Sequence, residues 1–146
     1  MVDVVDKAAR SRMMSGIRAK NTKPELQVRS GLHRCGFRYG LHRKDLPGKP
    51  DLALPKYGVV IFVHGCFWHG HNCSAFRWPK SNVQFWKSKI EGNIARDRSS
   101  ISQLKKQGWR VIVVWECAIR DAVRKNSIDK AIARLERKIK DKKCRE

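Results

Sequence analysis

Acidic residues are scarce in this 146-residue chain. Thirteen Asp and Glu stand against 33 Lys and Arg, a formal net charge of +20. Like charges repel in a compact state, so a surplus this large points to a polyanionic partner, nucleic acid first among them. Long apolar runs are missing as well. The longest, Val59–Val63 and Val111–Trp115, are far too short to span a bilayer. There is no N-terminal apolar segment of the secretory kind and no basic amphipathic helix with a clean apolar face. A soluble, cytoplasmic protein without membrane contact is expected. Internal repeats, low-complexity tracts and linkers are absent too, so one domain with one core suits the length. The cysteines, Cys35, Cys66, Cys73, Cys117 and Cys144, are odd in number. That argues against a disulfide framework and leaves metal binding or plain buried thiols.

What is present reads as a small α/β domain. Thr22, Pro24 and Glu25 form a helix start of the capping-box kind, and Gly36 would stop that helix after Cys35. Residues 7–20 are basic, with Met13, Met14 and Ile17 as the apolar members, and read as a weak helix or an arm; residues 1–20 are taken as a DNA-contacting arm and 21–146 as the domain proper. Strands are expected over Phe37–His42, Asp51–Leu54 and Tyr57–Val63, with a turn cluster at Asp45–Pro50. Val59–Val63 is continuously apolar, as in a central strand buried on both faces. A helix from about Asn82 to Gln107 carries Val83, Trp86, Ile90, Ile94, Ile101 and Leu104 on one face, weakened at Gly92. Gly108 ends it, Val111–Trp115 is a further buried strand, and a last helix starts near Ser127. The order α-β-β-β-α-β gives a mixed sheet flanked by helices.

Chemistry concentrates in "HGCFWHGHNC", His64 to Cys73. Cys66, His71 and Cys73 lie close together, and Cys117 follows the Val111–Trp115 strand. Three thiolates and one imidazole make a closed tetrahedral zinc shell, and a ligand from a distant strand end would staple the loop to the sheet. His64, His69 and His71 compete for the one nitrogen position. His71 stands two residues from Cys73, so both point the same way in an extended segment. The competing reading is buried thiols with surface histidines. A zinc-deaminase site is excluded, because its His-x-Glu and Cys-x-x-Cys elements are missing. Asp51 opens a strand whose neighbour leads to His64. A carboxylate there suits Mg²⁺, and a nearby His suits proton removal from water, which together make a phosphodiester-hydrolysing site. A turn or salt-bridge role explains Asp51 equally well, and the capping box alone explains Glu25. Phe67 and Trp68 sit in a loop too small to bury both rings. Periodicity places Trp86 in the core; Trp78, Trp109 and Trp115 read as core or packing residues.

The segments "DKAARSRMM", "LPGKPD", "VIFVHGCFWHGHNC", "FWKSKIEGNIARD" and "LKKQGWRVIVVWECAIR" resemble the very-short-patch repair (Vsr) endonucleases, relatives of the PD-(D/E)XK nucleases, over most of the chain. The resemblance implies a restriction-endonuclease-like domain with a zinc-stapled loop. It implies structural Zn²⁺ on Cys66, His71, Cys73 and Cys117. It implies catalytic Mg²⁺ on Asp51 and the backbone carbonyl of Val63, His69 as general base, and Glu25 and His64 in support. It implies that Phe67, Trp68 and Trp86 wedge into the duplex, that Met14 on the arm approaches the minor groove, and that Lys89 and Asn93 reach base edges. The implied activity is nicking of one strand 5′ to the T of a T:G mismatch that arises from 5-methylcytosine deamination. The partners would be mismatched double-stranded DNA and other repair proteins, and the protein a monomer. Two departures stand out. Val63 replaces the Thr of other members, which spares a backbone ligand but not a hydroxyl. Gly70 and Asn72 replace histidines. The rivals are a site-specific restriction-type endonuclease on the same fold and a zinc-stabilised DNA-distorting module without cleavage. Joint possession of Asp51, His64 and His69 favours an enzyme over the latter.

Overall fold

The structure, a computed structural model, describes residues 21–73 and 76–141. The N-terminal arm with Met14, and Cys144, lie outside those residues.

Helix α1 spans Lys23–Arg34. Thr22 caps it, its Oγ1 accepting from the Glu25 N–H at 3.3 Å. At its other end Gly36 takes φ +92°. Its N–H reaches the His33 carbonyl at 3.0 Å and the Phe37 N–H reaches that of Leu32 at 3.1 Å, a Schellman ending. The chain then forms β1 (Gly40–Leu41), β2 (Leu52–Leu54) and β3 (Val59–His64). The strand expected over Phe37–His42 shrinks to two residues. Its Leu41 is exposed, and His42 turns the chain away at φ +46°.

Helix α2, Val83–Lys106, runs unbroken through Gly92. Gly108 ends it with the same Schellman pattern, the Trp109 N–H meeting the Leu104 carbonyl at 3.0 Å. Strand β4 (Arg110–Trp115) leads directly into α3 (Glu116–Arg124), and α4 covers Ile128–Lys140. The order expected from the sequence leaves out α3, although Ala118, Ile119, Ala122 and Val123 fall on one helical face. At nine residues it is too short to stand alone, and it forms because Ile119 and Ala122 are buried against the rest of the fold.

The four-stranded sheet has the order β1-β2-β3-β4. The first three strands pair antiparallel, Leu41 with Leu52 and Leu52 with Ile61. β3 and β4 pair parallel from Val59–Arg110 to His64–Trp115, with α2 as the crossover. Alternate residues of β3 enter two cores. Val59 and Ile61 join Val28, Leu32, Ile132 and Ile139 on the face covered by α1, α3 and α4. Val60 and Phe62 join Leu104 on the α2 face. Burial on both sides is what makes β3 a continuous apolar run. β4, expected to be equally buried, is half-buried beyond Arg110, since it is the last strand of the sheet among the described residues. No helix among those residues is long and apolar enough to cross a membrane.

Arg110 is the buried cation of the fold. Its guanidinium donates to the carbonyls of Tyr57 (3.2 Å), Lys138 (3.2 Å), Ile139 (2.5 Å) and Asp141 (2.5 Å). It thereby closes the C-terminal end of α4 onto the β2–β3 turn. A lysine has the charge but not the planar fork. Arg110→Lys is expected to lower stability by about 1–3 kcal/mol, the worth of lost charge-assisted bonds, in chemical denaturation; an unchanged midpoint would show that the clamp is dispensable.

Candidate active site and metal centre

The pairing directions bring four strand termini to one end of the sheet: the end of β1, the start of β2, and the ends of β3 and β4. Read across that end, the residues are His42, Asp51, Val63 with His64, and Trp115.

Asp51 enters β2 directly after buried Pro50, and its Oδ2 accepts the Val63 N–H at 2.7 Å. Burial pushes its carboxyl up to about 7, against the pull of that N–H, and the neighbouring Glu25 carboxylate pushes the same way. Glu25 is 1% exposed. Its Oε1 accepts from the Asn21 N–H at 3.2 Å, and its Oε2 faces Arg29 at 3.1 Å and His42 Nε2 at 3.0 Å. So Glu25 stands in the first turn of α1 and also faces the strand end that carries Asp51. A capping box alone does not account for these contacts. Glu25, His42 and Asp51 place one ligand atom each within 4.8 Å of the others. A carboxylate pair held this closely and away from water suits a hard divalent cation.

On the β3 side, His64 is buried and its ring stacks on that of His69, centroids 3.8 Å apart and planes 4° from parallel. Burial lowers the His64 pKa to about 4; a charge on His69 acts in the same direction and Asp97 opposes it. His69 Nδ1 lies 2.6 Å from Asp97 Oδ2 on α2. A carboxylate only accepts, so Nδ1 carries the hydrogen and Nε2 keeps its lone pair for a proton. Neither Asp97 nor His42 is marked in the sequence. Asp97 sits between two arginines on a basic helix and His42 at the end of a strand-like run, and only tertiary structure brings them to the carboxylate and the imidazole.

The remaining histidine, His71, joins Cys66, Cys73 and Cys117, whose ligand atoms all lie within 4.8 Å of one another. His71 Nδ1 is 3.6 Å from Cys117 Sγ. Burial drives the Cys66 thiol up to about 12, and a metal cation bound there would displace its proton by stabilising the thiolate. Three sulfurs and one imidazole nitrogen are a donor set that fits zinc and leaves no open position. Cys117 comes from the first turn of α3, so the cluster ties the loop to the sheet end. The loop closes on itself through His69 N–H to the Gly65 carbonyl (3.2 Å) and His71 N–H to that of Cys66 (2.9 Å). Gly70, at φ +61°, lies flat on α2: a Cβ there would come within 2.6 Å of Ile94 and 3.0 Å of Ile90. Trp115 joins the two centres. His71 stacks on it at 4.0 Å, and His64 meets its ring edge-on at 5.3 Å.

Phe67, Trp68 and Trp86 touch one another, with centroids 5.2 to 5.8 Å apart. All three are half-buried, so Trp86 packs on the loop and not in the sealed core that its periodicity suggests. Phe76, Phe85 and Trp78 extend the cluster. Trp78, expected to be a packing residue, is 49% exposed and Phe85 59%. Asn93 donates to the Trp68 carbonyl at 2.8 Å and accepts from Arg96, while Lys89 is exposed on the same helix.

A family model described as DNA mismatch endonuclease Vsr matches residues 2–75. The chain is 46% identical over 120 residues to the DNA mismatch endonuclease Vsr of Escherichia coli strain K12, covering 82% of this chain and 77% of that protein. It is 50% identical over 121 residues to the type II nicking enzyme V.XorIIP of Xanthomonas oryzae pv. oryzae, covering 83% and 89%. It is 45% identical over 141 residues to the type II nicking enzyme V.NmeAIP of Neisseria meningitidis serogroup A, covering 97% and 99%.

The raised pKa of Asp51 has a thermodynamic consequence. Folding holds its proton more tightly than the ordinary value of 3.8 allows, so the stability it contributes is complete below 3.8 and is lost as pH rises through about 7. Asp51→Asn is expected to flatten that limb of the melting-temperature profile in chelator, and a divalent cation at pH 8 to raise the melting temperature of the wild type but not of the variant. Parallel curves for the two proteins across this window would contradict the assignment.

Proposed function

The chain belongs to the DNA mismatch endonuclease Vsr family, and from that premise we propose that it is a Mg²⁺-dependent enzyme that nicks one DNA strand 5′ to the T of a T:G mismatch. The observation that carries this reading is the placement, at one sheet end, of Asp51 on the Val63 N–H (2.7 Å) and of His69 paired with Asp97 (2.6 Å). A carboxylate for a metal and an oriented imidazole for a proton are the two parts that phosphodiester hydrolysis needs.

In this account Asp51 and the Val63 carbonyl would hold Mg²⁺, and such an ion would supply charge neutralisation at the phosphate and a more acidic water. His69 takes the proton from the attacking water at Nε2. Asp97 holds Nδ1 and so fixes the tautomer and the ring plane. His64, kept uncharged by burial, supports the ring from below without placing a second cation beside it. Glu25 supports the metal side. Cys66, His71, Cys73 and Cys117 would hold structural Zn²⁺.

Phe67, Trp68 and Trp86 enter the duplex at the mismatch. Unstacking one step costs a few kcal/mol, and stacking on an aromatic ring returns roughly 1–3 kcal/mol per base, so a weakened T:G step opens first. Met14 on the 1–20 arm approaches the minor groove, and Lys89 and Asn93 reach base edges. The excess of basic residues supplies phosphate contacts. The enzyme acts as a cytoplasmic monomer.

The direct test is cleavage of duplexes that differ only in a T:G or a T:A pair. One nick on the T strand of the mismatched duplex is expected; a double-strand break in matched DNA would identify a restriction-type enzyme instead. Asp51→Ala should abolish the nick while DNA binding persists, and His69→Ala should slow it by about 10²–10⁴-fold, the usual worth of a general base.

A further inference from the structure

His42 has no part in the chemistry above, yet it touches the Glu25 carboxylate with its ring and the Asp51 backbone with its N–H. Leu41 pairs with Leu52, so the next residues outward, His42 and Asp51, face each other across the two strands. The His42 N–H donates to the Asp51 carbonyl at 3.1 Å. Its left-handed backbone, φ +46°, turns the side chain toward α1, where Nε2 lies 3.0 Å from Glu25 Oε2. Few non-glycine residues take that conformation unless the surroundings impose it, and such positions gather at functional sites. Glu25 Oε2 also faces Arg29 at 3.1 Å, which is itself held by Asn21 Oδ1 at 2.6 Å. Arg29 anchors Glu25 within α1. His42 joins the direct contact of the Asp51 carboxyl with Glu25 in tying Glu25 to the strand end, and it does so from the neighbouring strand.

We propose that His42 is a positioning residue that sets the spacing of the Glu25 and Asp51 carboxylates and thereby the affinity of the site for its divalent cation. The inference rests on the reading of Asp51 as the metal-holding carboxylate. It parallels the His69–Asp97 pair on the other side of Asp51: each imidazole is joined to a carboxylate from a helix.

Partners of this kind typically alter metal affinity by about 10–100-fold when removed. His42→Ala is therefore expected to weaken Mn²⁺ binding to the free protein, followed by electron paramagnetic resonance, by about tenfold or more, and to raise the Mg²⁺ needed for half-maximal nicking by a similar factor. DNA binding in chelator and the melting temperature without metal should stay near wild type. His42→Gln, whose amide can still donate to Glu25, should recover most of the affinity. If the alanine variant does not fold, His42→Asn keeps a residue tolerant of the left-handed backbone but too short to bridge, and the same loss is expected. Unchanged Mn²⁺ affinity and Mg²⁺ requirement would overturn the inference. A glutamine variant as weak as alanine would also overturn it, in favour of direct ligation by the imidazole. Wild-type protein separates the two levels: if it does not nick T:G duplexes with Mg²⁺, the functional reading fails; if it nicks and His42→Ala behaves identically, only the role of His42 fails.

Discussion

The loop from Cys66 to Cys73 depends on being tied to the sheet at its two ends and at Cys117. It has no strand or helix of its own. What holds it is the convergence of Cys66, His71, Cys73 and Cys117, the stacking of His71 on Trp115, and the close seat of Gly70 on α2. The loop carries His69, Phe67 and Trp68. The same tie thus places the His69 imidazole against Asp97 and leaves the Phe67 and Trp68 rings half-buried. A zinc ion at the cluster would convert four weak thiol and imidazole contacts into a rigid joint worth on the order of 10 kcal/mol in folding. Hydrolysis and duplex distortion would then share one mechanical support.

The second organising feature is electrostatic. The chain has a large excess of positive charge, yet its sheet end encloses two carboxylates and an imidazole that avoids charge. Asp51 is raised to about 7 because burial penalises its anion and Glu25 adds like charge. His64 is lowered to about 4 because burial penalises its cation and His69 stacks against it. Strongly perturbed groups gathered at one sheet end mark a candidate functional site. The basic surplus suits a polyanionic partner, and the Glu25–Asp51 pair is a donor set that suits a divalent cation.

Much of this was legible in the residue pattern, for identifiable reasons. β3 was visible because burial on both faces leaves no polar alternation. The ends of α1 and α2 were visible because Gly36 and Gly108 take positive φ where a side chain would be strained. The cysteines suggested a metal, but three nearby histidines left the nitrogen ligand open; the fold separates them by pairing His64 with His69 and sending His71 to the sulfurs. Other features were hidden because they are tertiary. α3 has an apolar face but is too short to stand alone. β4 has the composition of a buried strand but lies at the sheet edge. His42 and Asp97 gain their partners from strand register and from helix packing across distant parts of the chain.

The measurement that bears most directly on this account is the zinc dependence of the loop at constant Mg²⁺. Protein stripped of zinc by a chelator and returned to Mg²⁺ is predicted to lose nicking of T:G duplexes and the fluorescence change of Trp68 and Trp86 on DNA. Added zinc should restore both at about one ion per chain, the capacity of one closed four-ligand site. Zinc-free protein that nicks at the wild-type rate would contradict the claim that the tether positions the chemistry.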